Sequence, residues 1–524
     1  MRSNVIQGTV DNSSDEPEGP RRRLSLARVL VVLVIAGAIV ATSSIGVRSL
    51  IDNVGPTSET WFAPYIDVTL PPTLAFEDPA VNPSREVMLG FVVASPTDSC
   101  APSWGGSYTL DQATSNLELD RRVAQFRRAG GDVMVSFGGQ RNNELAVACT
   151  DVSALTQAYA SVIARYQLDV IDFDVEGAAI GDSASIQRRA QAIAALQAGA
   201  KAYGHTLVVW LTVPAARDGM DGATQQAVKD TLAAGVDLAG VNVMTMDFGS
   251  SAQPERDMSA AVQAALQASH DQLVSIYQQV RLGLTSKSAW AKLGATVMIG
   301  QNDVSGETFD VTAAQNLTAF ALANGVGRVS MWSENRDLQC GSSFARVGVL
   351  SNTCSGVAQD ALEFTRTFSG KLTGSALTVT GTIREPDPTP PTADDPAKSP
   401  YPIWYPTQMY RTGYKVVWHG NVYEAKWFSQ GSPPDAPAQN PWENPWRLVG
   451  PVLPTDHAPV IPTMAPGTYP DWTPKATYPK GTRVLYKGLP YQAKYLTQGD
   501  VPDAFLSDPE SPWIPLYTIP GEPA

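Results

Sequence analysis

Residues Asp169 to Glu176 read DVIDFDVE, a β-branched and aromatic run with carboxylates at alternating positions. Successive side chains of a strand point to opposite faces, so Asp172, Asp174 and Glu176 share one face and Ile171, Phe173 and Val175 share the other. Three carboxylates crowded on one face of a buried strand repel one another and are costly to desolvate. Such clusters push one carboxyl toward the protonated state that a general acid needs. A calcium loop wants Gly and Asn/Asp spaced around a flexible turn, and this run is too apolar and β-branched for that.

The strand has company. Eight short β-like runs lie between residues 65 and 332: Tyr65–Leu70, Val87–Val93, Val133–Phe137, Val170–Val175, Leu207–Val213, Val241–Met246, Thr296–Gly300 and Val329–Trp332. Most are nearly continuous apolar runs, as buried parallel strands should be. Amphipathic stretches at Leu117–Arg128, Ser153–Gln167, Ala184–Tyr203, Thr224–Ala234, Met258–Val280 and Val311–Ala323 separate many of them. Eight strands alternating with helices predict an α/β fold, a (β/α)8 TIM barrel over residues 63–380. The first crossover, Pro71 to Arg85, is Pro-rich and a poor helix. In such barrels the chemistry sits at the C-terminal strand ends, where Gly138, Gly139, Glu176, Asp247 and Trp332 all fall.

The segment Asp169-x-x-Asp172-x-Asp174-x-Glu176 resembles the DxxDxDxE signature of glycoside hydrolase family 18, the chitinases and their relatives, with Val170 where the signature often has Gly. Ser136-Phe137-Gly138-Gly139 resembles the family's SxGG strand. Met244-Thr245-Met246-Asp247 resembles its MxYD strand, and Trp332 the Trp closing the last strand. The pattern is most similar to the bacterial and archaeal branch with an IDFDxEG core. The resemblance implies substrate-assisted retaining hydrolysis, an exception to the usual carboxylate pair. Glu176 is then the acid and base, Asp174 holds the substrate's acetamido N–H, Asp172 tunes Asp174 from below, and Asp247 positions the acetamido group. Trp332 floors the sugar, and Ser136, Gly138, Gly139, Met244 and Met246 complete the substrate site. One departure stands out: the family's hydroxyl-bearing Tyr is Met246, whose thioether cannot donate a hydrogen bond.

Beyond residue 380 the texture changes. Residues 381–400 are rich in Pro, Asp and Thr and read as a linker. Two units then follow, 401–450 and 469–517, joined by 451–468. A shift of 68 residues superposes Trp404 on Trp472, Tyr410 on Tyr478, Gly420 on Gly488, Tyr423 on Tyr491 and Lys426-Trp427 on Lys494-Tyr495. The repeat resembles the chitin-binding modules of carbohydrate-binding families 5 and 12, small all-β domains. Flat aromatic rings stack on the apolar faces of sugars, and Trp404, Trp427, Trp472 and Tyr495 are the candidate exposed platforms.

The chain has 524 residues, a formal net charge of −13 and four each of Cys and His. Its acidity argues against a nucleic-acid partner and is indifferent to a neutral polysaccharide. Without a CxxC pair there is no metal signature, and no cofactor is implied. Arg21, Arg22, Arg23 and Arg28 precede an uncharged run from Val29 to Val47, which Arg48 closes. The run is long enough to span a bilayer. Its positive flank predicts a cytoplasmic leader (1–28), a transmembrane signal anchor (29–47), a linker (48–62) and an extracellular remainder; cleavage, giving a secreted protein, is the alternative. In an exported chain the four cysteines form two disulfides, expected as Cys100–Cys149 and Cys340–Cys354. The expected function is hydrolysis of β-1,4-linked N-acetylglucosamine polymers such as chitin. An endo-β-N-acetylglucosaminidase acting on glycans or cell wall shares the same chemistry. A non-catalytic chitin-binding lectin or adhesin is the reading that Met246 favours.

Overall fold

Eight parallel strands of the computed structural model close on themselves around the carboxylate-bearing run. It describes residues 59–249, 257–342, 350–379, 393–438, 443–504 and 510–523. The expected anchor at 29–47, its leader and residues 381–392 of the expected linker lie outside the described residues. Among the described residues no helix is long and apolar enough to cross a membrane.

The barrel strands are β1, in two pieces Trp61–Phe62 and Tyr65–Asp67, then β2 Glu86–Ala94, β3 Asp132–Gly138, β4 Val170–Asp174, β5 Val208–Pro214, β6 Leu238–Met244, β7 Leu293–Met298 and β8 Arg328–Trp332. Closure depends on the broken first strand. Its first piece pairs with β8 and its second with β2. Pro64 lies at the break and has no N–H to give the ladder, but its carbonyl accepts from the Met88 amide at 2.9 Å. Trp61 and Phe62 therefore belong to the barrel, which corrects the expected linker end at residue 62.

The outer helices are α1 Leu119–Arg128, α2 Val152–Tyr166, α3 Ser183–Ala202, α4 Gly222–Ala233, α5 Met258–Gln279 and α6 Val311–Asn324. From α2 to α6 each starts behind an aspartate (Asp151, Asp182, Asp221, Asp257, Asp310) whose side chain accepts first-turn amides. Those caps satisfy donors that a helix N-terminus leaves orphaned. The segment Pro71–Arg85 carries no helix. Outward-facing Ile171, Phe173 and Val175 join the core between sheet and helices. Inside the barrel, Trp61, Met88, Met134, Val170 and Trp210 fill the lower lumen. Disulfides Cys100–Cys149 and Cys340–Cys354 are both present.

The two C-terminal units are the same fold twice. In the first, Lys415–Trp418, Asn421–Ala425 and Trp446–Pro451 form an antiparallel sheet. In the second, Arg483–Tyr486, Leu489–Ala493 and Trp513–Pro515 do so. Trp404 is 5% exposed and packs edge-on against Trp418, 4.9 Å between ring centroids. Trp472 is half-buried and meets Tyr486 likewise at 5.2 Å. Neither is an exposed platform, because a unit this small has few other large side chains to fill its core. The exposed rings include Trp427 at 42% and Tyr495 at 45%, with Phe428 next to Trp427 in sequence and Tyr405 next to Trp404.

The first module is seated on α1. Arg121 lies between Glu118 and Asp456, at 2.9 and 2.8 Å, and also donates to the Pro451 carbonyl. Glu77, fully buried, takes Arg122 at 2.8 Å and Arg447 at 2.9 Å. Arg128 donates to Asn421, and Lys415 pairs with Glu118. Asp456, in the expected linker 451–468, is thus part of the seat, and Asp394, in the expected linker 381–400, accepts the amides of His419 and Gly420.

Candidate active site

The carboxylate run occupies β4, and its parity sets the site. Asp172 registers with Ser136 on β3, and Asp174 with Thr212 on β5. The ladder continues one step beyond the strand, where the Val175 amide donates to the Thr212 carbonyl at 2.9 Å. Glu176 is still extended, φ −144° and ψ 177°. The three carboxylates therefore stack up the inner wall, from Asp172 deep in the lumen to Glu176 at the rim.

Asp172 is fully buried and surrounded by donors. Its Oδ2 accepts from the Tyr65 hydroxyl at 2.9 Å and Ser136 at 2.7 Å. Its Oδ1 accepts from Thr212 and from Arg328 Nη1, each at 2.7 Å. Asn242 extends the layer, donating to Thr212 and Thr296. Asp174 is different. It is buried, yet its Oδ1 has no hydrogen-bond partner among the described residues. Burial, with Glu176 and Asp172 adding repulsion, holds its carboxyl well above the usual range. Glu176 is pushed up to about 7, by burial first and then by the nearby charge of Asp247. Asp247 is raised by burial, although its Oδ1 accepts the Val304 amide at 3.1 Å.

Above these groups opens a cleft of about 490 Å³. Asp174, Glu176, Met244, Met246, Asp247 and Trp332 all line it, together with Tyr65, Phe91, Arg141, Asp303 and Asn352. Trp332 stacks on Phe91, centroids 5.5 Å apart, so its ring is fixed as a flat apolar wall. Ser136, Gly138 and Gly139 do not line the cleft, which corrects their expected place in the substrate site. Ser136 acts on Asp172. A Cβ on Gly138 would stand 2.1 Å from the Asp174 carbonyl, and one on Gly139 2.9 Å from the Phe91 ring, both at positive φ. The glycines let β3 end close against β4 and Phe91.

Tyr65, Thr212, Arg328 and Phe91 were not singled out in the sequence. Arg328 alone left a trace, as a charge opening the otherwise apolar and small-residue run of β8. Among the described residues no group of three or more His, Cys, Asp or Glu is placed to hold a metal ion.

Residues 84–337 match the model of glycosyl hydrolases family 18. Over this stretch the barrel is similar to that family. The chain is 33% identical over 305 residues to the probable bifunctional chitinase/lysozyme of Escherichia coli, covering 56% of this chain and 33% of that protein. It is 32% identical over 299 residues to endochitinase 11 of Metarhizium anisopliae, covering 55% of each. The chain thus spans about a third and about half of the length of these curated relatives. Active domain 2 of the Pyrococcus furiosus chitinase has the same fold, with a TM-score of 0.51 at 24% identity over 60% of this chain and 97% of that one. The family 18 site carries its acidic run intact and Met246 in its second motif.

Proposed function

We propose that this protein is a chitinase cleaving β-1,4-N-acetylglucosamine linkages by substrate-assisted retaining catalysis. The observation that carries the reading is the pairing of Glu176, a carboxyl that keeps its proton near neutrality, with cleft-lining Asp174, whose buried Oδ1 has no donor among the described residues. Glu176 gives its proton to the glycosidic oxygen. The acetamido oxygen of the bound sugar attacks its own anomeric carbon, and Asp174 accepts the acetamido N–H. Water then opens the oxazolinium intermediate, returning a proton to Glu176, and configuration is retained. Asp247 and the Trp332 ring hold the acetamido group and the sugar face. The names of the relatives, two chitinases among them, support the substrate class.

Met246 removes one donor to the acetamido oxygen. Ser107, Thr296, Ser333 and Asn352 supply hydroxyl and amide groups to the cleft walls. The two C-terminal modules bind the insoluble polymer through Trp427 and Tyr495, and the segment 29–47 anchors the chain with its barrel outside the cell. Peptidoglycan is the second substrate to test, since lysozyme stands in the name of the Escherichia coli relative.

The test is hydrolysis of fluorogenic chitobioside and chitotrioside by the protein and by Glu176→Gln, beside substrates deacetylated at the reacting sugar. Activity that depends on Glu176 and on the acetyl group supports the mechanism. Cleavage of the deacetylated substrate at a comparable rate overturns it, and chitin binding with no hydrolysis by either protein favours a lectin.

A further inference from the structure

The deepest part of the barrel holds a cation that the proposed chemistry does not use. Arg328 is fully buried, and its guanidinium carbon lies 5.4 Å from the Trp61 and Tyr65 ring centroids and 5.6 Å from that of Trp210. Its three nitrogens are all engaged: Nε on Ser330 at 2.8 Å, Nη2 on the Tyr65 hydroxyl at 2.9 Å and Nη1 on Asp172 at 2.7 Å. A desolvated guanidinium in an aromatic box is retained only when a carboxylate compensates it. Asp172 is that carboxylate, and its two oxygens already take four donors. A carboxylate has about four lone-pair sites, so all of them are engaged.

We infer that Arg328 is a positioning residue that holds Asp172 in place beneath Asp174 and, as the buried cation of the site, sets how readily the acid pair Asp174 and Glu176 ionises. The inference rests on the catalytic reading above and adds the device that sets its working pH. The charges around the pair are few. Asp174 faces Glu176, Asp172, Arg328 and Glu144, and Glu144 is itself ion-paired with buried Arg189. Glu176 faces Asp247. Arg328 is the buried cation that eases ionisation of Asp174, against three carboxylates that oppose it. With the cation removed and the Asp172 carboxylate left in place, Asp174 becomes harder to ionise, and Glu176 beside it follows.

The test compares pH profiles of kcat/KM on a soluble chitotrioside for Arg328→Met, Arg328→Lys and Asp172→Asn. An opposite charge at this range moves a carboxyl by about one to three pH units. Arg328→Met should therefore shift both limbs to higher pH by that order. Arg328→Lys should keep the limbs where the native protein has them, even at lower amplitude. Asp172→Asn, which removes an anion and leaves the cation, should shift them to lower pH. A profile that only loses amplitude in Arg328→Met and Asp172→Asn means a structural role and overturns the inference. Should Arg328→Met fail to fold, the opposite behaviour of the other two variants still decides. Infrared titration of protonated carboxyl groups in the same proteins reads the shifts without any turnover, so an inactive enzyme with shifted titrations sinks the catalytic reading alone.

Discussion

At the scale of single residues, alternation along one strand does most of the work. Glu176 is exposed enough to meet a sugar and buried enough to keep its proton to about pH 7. Its protonated fraction then falls tenfold for each further pH unit, so kcat/KM should decline with that slope above pH 7. A general acid of this kind contributes roughly 10²- to 10⁴-fold, and Glu176→Gln should lose at least the lower figure with little change in thermal stability. Glu334, just beyond β8, has no part in this chemistry. It is 1% exposed, neither carboxyl oxygen has a partner among the described residues, and burial, with Asp337 adding repulsion, holds its carboxyl well above the usual range. A carboxyl raised in the folded state costs nothing below its unfolded value and destabilises progressively as pH rises past it. Glu334→Leu should therefore stabilise the protein by about 1–3 kcal/mol at pH 8, an unsatisfied buried group being worth that much, and by much less at pH 4. Equal gains in melting temperature at both pH values would refute this account. The acidic stack was legible because period-two alternation is a local property. The ring of donors around Asp172 was not, since Tyr65 and Arg328 reach it across 107 and 156 residues of sequence, and no local pattern encodes such a meeting.

At the scale of elements, the strands were legible to within a few residues because parallel barrel strands are buried on both faces and read as apolar runs. Their helices were legible as amphipathic stretches, and the aspartate N-caps of α2 to α6 fix their starts in the structure. The first strand was read too short at its N-terminal side: a two-residue piece, Trp61–Phe62, carries no periodicity, and its pairing with β8 shows only in three dimensions. In the modules the repeat predicted the architecture, since equivalent strands stand 68 residues apart from Met409–Tyr410 and Thr477–Tyr478 onward. It did not predict which aromatics face out. A ring large enough to stack on a sugar is also the best filler for a small core, and Trp404 took the second role. The two uses separate by mutation. Trp427→Ala and Tyr495→Ala should each weaken retention on insoluble chitin while leaving the melting transition unchanged. Trp404→Ala should destabilise the first module by about 3–5 kcal/mol, as large-to-small changes of buried aromatics do. Retention unaffected in the Trp427→Ala, Tyr495→Ala double variant would remove these rings from the binding surface.

At the scale of the whole molecule, the first module is built into the catalytic body as well as following it in sequence. Arg121 and Glu118, and Arg122 and Glu77, are nearly buried ion pairs, and Asp456, Lys415 and Arg447 from the module and the segment after it join them as further partners. Burying charges is costly, and removing one partner of a buried pair is worse than never having built it, by about 3–5 kcal/mol. Gly450 meets the same helix so closely that a Cβ would lie 2.7 Å from the Arg121 carbonyl, which shape alone imposes on the module strand. In the second module, Ile514, one position after the Trp that closes the sheet, stands where Arg447 follows Trp446, and it is 41% exposed. Arg447→Ala in the full chain should therefore loosen the first module from α1, seen as faster amide exchange along Leu119–Arg128 and Trp446–Pro451, with hydrolysis of soluble chitotrioside retained. Turnover of insoluble chitin should fall, because a sugar-binding surface that is free to swing no longer presents the polymer to the cleft in one orientation. Unchanged exchange along both segments would show that shape complementarity at Gly450 holds the seat without the charges. Loosened exchange with undiminished turnover of the solid would show that the module needs only to be tethered, as the sequence alone had led one to expect.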